Sequence, residues 1–239
     1  MIDKKELELA AKHKIKIISI SDAGYPEILK KIFDPPKALY VKGELREEDN
    51  LSIAIVGSRL ASSYGLIQAE KFGFDLANLG ITVVSGLARG IDTKAHLGAL
   101  KANGRTIAVL GSGLLSVYPP ENKGLVEKIS QNGAVISEYP LDMGPRRENF
   151  PKRNRIVTGL SLGVVVVEAA KNSGALISAR CALEQGREVF SLPGKLDSDN
   201  SFGTNELIKD GAKLTTSVND ILEEIAPFIK NKTLICEGK

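Results

Sequence analysis

The chain contains no tryptophan, and aromatic residues make up only 5% of its 239 positions. An extended platform of stacked rings is therefore not expected; one or two stacked bases is the most such a sequence can offer. Cysteine is equally scarce. Cys181 and Cys236 form no CxxC pair and no metal spacing, which points to free thiols in a reducing, cytoplasmic compartment. The two histidines, His13 and His96, are too few to build a histidine-ligated metal centre. Asp92 and His96, four apart, read as a helix-start aspartate and a satisfied core histidine. The longest apolar run, LGVVVVEAA, is broken by Glu168 and is far too short to span a bilayer. The first residues, MIDKKELELAAKHK, lack the apolar core of a secretory signal, so no membrane partner is expected. Also missing are GxxxxGK[ST], a GxSxG elbow and the third glycine that would turn Gly111-Ser112-Gly113 into a dinucleotide fingerprint. No metal or cofactor is expected.

Positive charge is present but local. The net charge is only +3, and residues 1–50 balance ten basic side chains with ten acidic ones. The stretch RRENFPKRNR at 146–155 carries five basic residues against one acid, a net of +4. Charge gathered this way fits a groove better than a diffuse cationic tail.

From residue 51 onward, short apolar runs alternate with helix-length amphipathic segments. The strand candidates are IAIV (53–56), ITVV (81–84), TIAVL (106–110), AVIS (134–137), GVVVV (163–167) and EVFSL (188–192). YGLIQAEKFGFDLANLG, TKAHLGALKANG and ALISARCALEQG lie between them and end in glycine, as helices often do. Continuous apolar strands separated by helices predict an α/β fold, a Rossmann-like doubly wound and mostly parallel sheet. Residues 1–50 read as a small N-terminal appendage packing on the main domain, with strand-like KIKIISI (14–20) and ALYVKG (38–43). The main domain spans 51–216, and 217–239 reads as a C-terminal helix and tail.

In such a sheet, ligands bind where strands end and helices begin. Those loops carry Gly57-Ser58-Arg59, then Ser85-Gly86-Leu87-Ala88-Arg89, then Gly111-Ser112-Gly113, and beyond the GVVVV strand Asn172-Ser173-Gly174. Small residues expose backbone N–H groups, helix N-termini favour anions, and arginine adds a forked donor. A phosphate-binding cleft is the expectation. The basic stretch borders it, with Pro151 placed to start a short helix carrying Arg153, Asn154 and Arg155, and Phe150 just before it. Phe150 reads either as a stacking ring or as a hydrophobic staple. The arginines read either as phosphate contacts or as partners of Glu138, Glu148 and Glu168. Glu168 reads as a general base or, preferably, as an anchor for Arg89 or Arg155.

Several motifs together resemble the DNA-processing protein A family, also called DprA or Smf. They are GSR at 57–59, SGLARGID at 85–92, YPPEN at 118–122, SEYP at 137–140, FPKRNRIVTGLS at 150–161, VVEA and NSGALISA between 166 and 179, GREVFSLPG at 186–194, and GTNELIKDGA at 203–212. The N-terminal YPEIL and FDPPKALYVKG fit the same pattern, so the resemblance covers about residues 14–215. It implies a Rossmann-like protein without catalytic turnover that binds single-stranded DNA, helps load the RecA recombinase during natural transformation, and forms a homodimer. It assigns DNA contacts to Gly57, Ser58, Arg59, Lys152, Arg153 and Arg155, a base contact to Phe150, and places Ser85, Arg89, Asn154 and Ser173 in the same cleft. Two departures stand out: no counterpart is seen of the extra N-terminal helical and C-terminal winged-helix domains of many members, and Leu115 stands where an Asp is expected. A different class, nucleotide-processing enzymes resembling the phosphoribohydrolases, uses a similar cleft but is marked by a PGGxGT loop; here the comparable stretch is EAAKNSGALIS.

Overall fold

The computed structural model describes residues 3–236, with side chains described through Phe228. The remainder of the expected tail, residues 237–239, and the side chain of Cys236 lie outside the described residues. The described strands are β1 (Lys16–Ser19), β2 (Ala38–Gly43), β3 (Ser52–Val56), β4 (Thr82–Ser85), β5 (Thr106–Val109), β6 (Ala134–Ser137), β7 (Gly163–Val166), β8 (Glu188–Ser191) and β9 (Lys213–Leu214). They form one sheet in the order β1-β2-β6-β5-β4-β3-β7-β8-β9. β2 runs antiparallel to both β1 and β6, and every other pairing is parallel. The Rossmann-like, mostly parallel architecture is thus present.

The helices are α1 (Lys4–Lys12), α2 (Glu27–Lys30), α3 (Ser63–Asn78), α4 (Ile91–Lys101), α5 (Lys123–Gln131), α6 (Asn149–Gly159), α7 (Gly174–Glu184), α8 (Phe202–Lys209) and α9 (Val218–Cys236). Strand residues alternate between two cores. Ile53, Ile55, Val83, Val165 and Phe190 pack with α3, α4 and α9. Ala54, Val56, Val84, Ile107, Val109, Val164 and Val166 pack with α6 and α7. Burial on both faces is why these strands read as unbroken apolar runs rather than as an alternation. Gly80 and Gly186 follow α3 and α7 with φ of 76° and 65°, the left-handed turn that ends a helix and that side chains disfavour. Among the described residues, no helix is long and apolar enough to cross a membrane.

Residues 1–50 join the rest through the sheet itself, since β2 hydrogen-bonds to β6. The segment also covers α6 from outside: Tyr25, Leu29 and Ile32 share a core with Ile156, Val157 and Leu160. Tyr25 donates its hydroxyl to the Pro36 carbonyl at 2.8 Å, tying down the FDPP turn. α6 is therefore held between this segment and the sheet.

Sequence order reverses direction at β3, whose neighbours are β4 on one side and β7 on the other. The loops leaving the carboxyl ends of β3 and β7 diverge there and open a crevice, the position where open α/β sheets hold ligands.

Candidate nucleic-acid interface

That crevice is an open cleft of about 1040 Å³. Gly57, Ser58, Arg59 and Leu60 line it after β3, Lys171 to Ala175 after β7, and Phe150, Arg153 and Asn154 along α6, with Arg147 just before that helix. Tyr118 flanks Phe150, while Asn200 and Phe202 line the side of the Lys171 loop. Sequence reasoning alone did not single out Tyr118, Lys171 or Phe202. Lys171 directly precedes the Asn172-Ser173-Gly174 loop, where an anion is expected, and Tyr118 opens the YPPEN motif. Phe202 carried no comparable signal.

The cleft's charge comes from side chains that face solvent. Arg59, Arg147 and Lys171 line the cleft and are exposed; Lys152 is exposed on α6 but does not line it, and the ion pairs around the cleft engage Arg89 and Arg155. The Arg59 guanidinium lies 5.3 Å from the centroid of the Phe150 ring. Phe150 in turn meets Tyr118 at 5.6 Å between centroids, with the planes tilted by 55°. A half-buried ring pair beside a guanidinium that has no ion-pair partner among the described residues offers an apolar face next to a phosphate donor. Helix α6 begins at Asn149, so Phe150 and Pro151 belong to its first turn. The expectation that the helix starts at Pro151 is corrected by two residues.

Helix α7 supplies the opposite wall. Ser173 caps its N-terminus, its hydroxyl accepting the Ala175 N–H at 3.2 Å. The N-terminal N–H groups and positive dipole end of α7 border the cleft, an environment suited to an anion. Asn154 donates to the Gly174 carbonyl at 3.4 Å, linking α6 to this wall.

Other expected site residues have internal duties. Arg153 is 3% exposed and forms part of the cleft floor. Its Nη1 donates to the Gly86 carbonyl at 2.5 Å and to the Val109 carbonyl. Burial, partly offset by the nearby Asp92 carboxylate, pushes its pKa down to about 10, so it remains a cation at neutral pH. A Cβ at position 86 would lie 2.5 Å from the Arg153 Nη2, which explains the glycine after β4. Arg155 turns away from the cleft: its Nη1 and Nη2 donate to the two Glu138 carboxylate oxygens at 2.8 and 2.7 Å, and its Nε to the Asp34 carbonyl at 2.9 Å. Ser85 is fully buried and donates to the Ile55 carbonyl at 2.6 Å. Arg89 pairs with Glu121 and lies beside Tyr118 in a small adjoining recess.

Glu168 departs from expectation. Its buried carboxylate accepts the Ser62 N–H at 2.9 Å and the Ser62 hydroxyl at 2.5 Å, so it anchors the start of α3 and no arginine. Asp92 is buried as a helix-start acid, its Oδ2 accepting the N–H groups of Gly86 at 3.1 Å and Ala88 at 3.3 Å. His96 is buried with Nδ1 2.7 Å from the Thr106 hydroxyl, while its Nε2 has no partner. Burial, reinforced by the positive charge of Arg153, pushes its pKa down to about 3. Among the described residues no three histidine, cysteine or acidic side chains gather as a metal site.

Comparison with known proteins places this geometry. Residues 16–226 match the family described as DNA recombination-mediator protein A. Protein Smf of Escherichia coli is 51% identical over 210 residues, a match covering 87% of this chain and 56% of that protein, so the chain spans little more than half the length of that relative. The structure of DNA processing protein A from Streptococcus pneumoniae superposes with a TM-score of 0.86 at 44% identity, covering 93% of this chain and 78% of the other. DNA processing protein A from Helicobacter pylori, whose structure is described for its single-stranded DNA binding mode, superposes with a TM-score of 0.78 at 32% identity, covering 89% and 96%. The sheet, the switch-point cleft and the match over most of its length together assign the chain to the DNA recombination-mediator protein A family.

Proposed function

We propose that this chain binds single-stranded DNA in the switch-point cleft and, as a homodimer, helps load the RecA recombinase on that strand during DNA recombination and natural transformation. The observation that carries the DNA reading is the placement of the exposed Arg59, without an ion-pair partner among the described residues, over the Phe150 ring, which Tyr118 flanks. Arg59, Arg147 and Lys171 supply phosphate contacts from the cleft and Lys152 from beside it, joined by the N-terminus of α7 and by the Ser58 hydroxyl, since the Ser58 N–H is taken by the Glu168 carbonyl and Gly57 serves as a small lining residue. Phe150 supplies a ring for one base. Arg153 contributes from the floor, as a fixed charge beneath the strand and as the clamp between α6 and the loops after β4 and β5. Arg155, Ser85 and Arg89 act behind that surface by holding α6 and the strand ends in place. Stacking and phosphate contacts tolerate any base, so sequence preference is weak. The relative from Helicobacter pylori, described for binding single-stranded DNA, supports the choice of ligand.

Against a phosphoribohydrolase-type reaction stand the stretch EAAKNSGALIS, which lacks the paired glycines of a PGGxGT loop, and the engagement of Glu168 by Ser62. The carboxylates that do line the cleft, Asp92 and the exposed Asp199, keep the adenine-release assay as the discriminating test, and binding is the reading we favour.

The test is fluorescence anisotropy of a labelled oligothymidylate across a salt series, with duplex DNA as competitor. Tight binding that resists duplex and weakens with salt, by about 0.7 in the log–log slope for each phosphate neutralised, is expected. Absence of binding at low salt overturns the DNA reading, and release of adenine from AMP would install the enzyme reading instead. Sedimentation at micromolar concentration reports the dimer, and strand-exchange assays with the recombinase report the loading.

A further inference from the structure

Resting on the reading of the cleft as a single-stranded DNA site, we propose that Phe202, with Lys171 beside it, forms a second base-stacking position on the opposite side of the switch point from Phe150. Phe202 opens α8 and lines the cleft, yet its side chain remains 47% exposed. The Lys171 ammonium lies 5.6 Å from its ring centroid. A single exposed phenylalanine is ordinary on a protein surface; this one is held in position. The Gly203 N–H donates to the Ala169 carbonyl at 2.7 Å, and the Ala169 N–H to the Asn200 carbonyl at 2.8 Å. Asn200 in turn donates through its side chain to the Leu60 carbonyl at 3.1 Å. The segment bearing Phe202 is thereby fastened to the end of β7 and to the loop after β3, the two elements that make the crevice.

The two aromatic positions are well separated. Phe150 sits against Gly111, just past β5, where an added Cβ would lie 2.9 Å from its ring, and Phe202 sits at the end of β7. β5 and β7 are three strand spacings apart in the sheet, roughly 14 Å. That is several times the roughly 3.4 Å between stacked bases, so different bases of one strand meet the two rings. Between them run the cations of the β3 and β7 loops, Arg59 and Lys171, suited to the intervening phosphates. The strand then lies across the carboxyl edge of the sheet, with an aromatic stop at each side.

The absence of tryptophan makes Phe202→Trp a reporter without background. Wild type, Phe202→Ala and Phe202→Trp are titrated with oligothymidylate of about 16 nucleotides, following anisotropy for all three and indole emission for the Trp variant. Circular dichroism establishes that each variant is folded. The expected result is a loss of roughly 5- to 100-fold in affinity for Phe202→Ala, recovery in Phe202→Trp, and quenching of its emission as the oligonucleotide saturates. Wild-type affinity in Phe202→Ala, or indole emission unmoved at saturation, overturns the second position while leaving DNA binding in the cleft intact. If wild type itself binds no oligonucleotide at low salt, both fall.

Discussion

The first turn of α6 and the loop before it differ sharply from the turn that follows. Arg146, Arg147 and Lys152 project into solvent, whereas Arg153 and Arg155 are committed inside the protein to carbonyls and to Glu138. Helical geometry sorts them. Successive residues turn by about 100°, so Lys152 faces out, Arg153 faces the ends of β4 and β5, and Arg155 faces the N-terminal segment. The comparison teaches that a basic stretch has two jobs. Its outer charges are available to a ligand, and its inner ones fix the helix that displays them. Desolvated guanidinium groups must be matched internally, and here carbonyls and carboxylates match them.

The comparison is broken most directly at Arg153. Replacing it with methionine leaves the Gly86 and Val109 carbonyls without their donor and takes from the buried Asp92 the stronger of its two neighbouring cations, Arg59 being the other. A stability loss of about 3–5 kcal/mol is expected, read as a lower urea midpoint. A variant that keeps full stability and loses only DNA affinity would erase the distinction between inner and outer charges.

The inner charge is also felt at His96. Its pKa in the fold is about 3 against an ordinary 6.5. Between those values the unfolded chain takes up a proton that the native state refuses. The contribution to stability is therefore complete above pH 6.5 and falls as pH is lowered, by about 2 kcal/mol at pH 5 for this group. Urea midpoints at pH 7 and pH 5 measure it, and His96→Leu flattens the dependence while Thr106 keeps its bond to the Val83 carbonyl. Removing the Arg153 charge relieves part of the pressure on His96, so the acid sensitivity shrinks in the methionine variant.

Much of this was legible in the sequence. Strands buried on both faces announce themselves as apolar runs, and six of the seven strands from β3 to β9 lie within one residue of the runs that foretold them; β9, only two residues long, gave no pattern. The cleft was legible because loops at strand ends carry Gly, Ser and Arg for physical reasons. Direction was not. Periodicity does not say which arginine of a helix faces the sheet until its packing partners are known, and those of α6 come from Tyr25, Leu29 and Ile32, far away in sequence. Glu168 misled for a related reason: a carboxylate among arginines suggests an ion pair, but Ser62 reaches it first. Phe202 is silent in the sequence because a lone aromatic opening a short helix, followed by the polar Gly-Thr-Asn of its first turn, has no period to betray it.

The pair Arg155–Glu138 sharpens the comparison at smaller cost. Its side chains are 18% and 17% exposed, between the limits of a surface and a buried bridge. Arg155→Met lowers stability by about 1.5–3 kcal/mol, and a double-mutant cycle with Glu138→Gln returns a coupling of about 1–2 kcal/mol. Since Arg155 also bonds the Asp34 carbonyl, the loss loosens the N-terminal segment, giving faster amide exchange around Tyr25. DNA affinity in the folded variant stays within about threefold of wild type.

The smallest effect on the fold, and the most telling one for the cleft, belongs to Arg59→Ala. The side chain is exposed and lies over the Phe150 ring, so stability changes by no more than about 0.5 kcal/mol. Affinity for oligothymidylate falls about tenfold, and the salt slope drops by about 0.7, the signature of one lost phosphate contact. The two readouts must separate: an outer charge lowers affinity without touching the urea midpoint, where Arg153 lowers the midpoint first. If Arg59→Ala loses stability instead, its stacking on Phe150 is holding α6, and the boundary between the two kinds of charge runs through the cleft rather than around the helix.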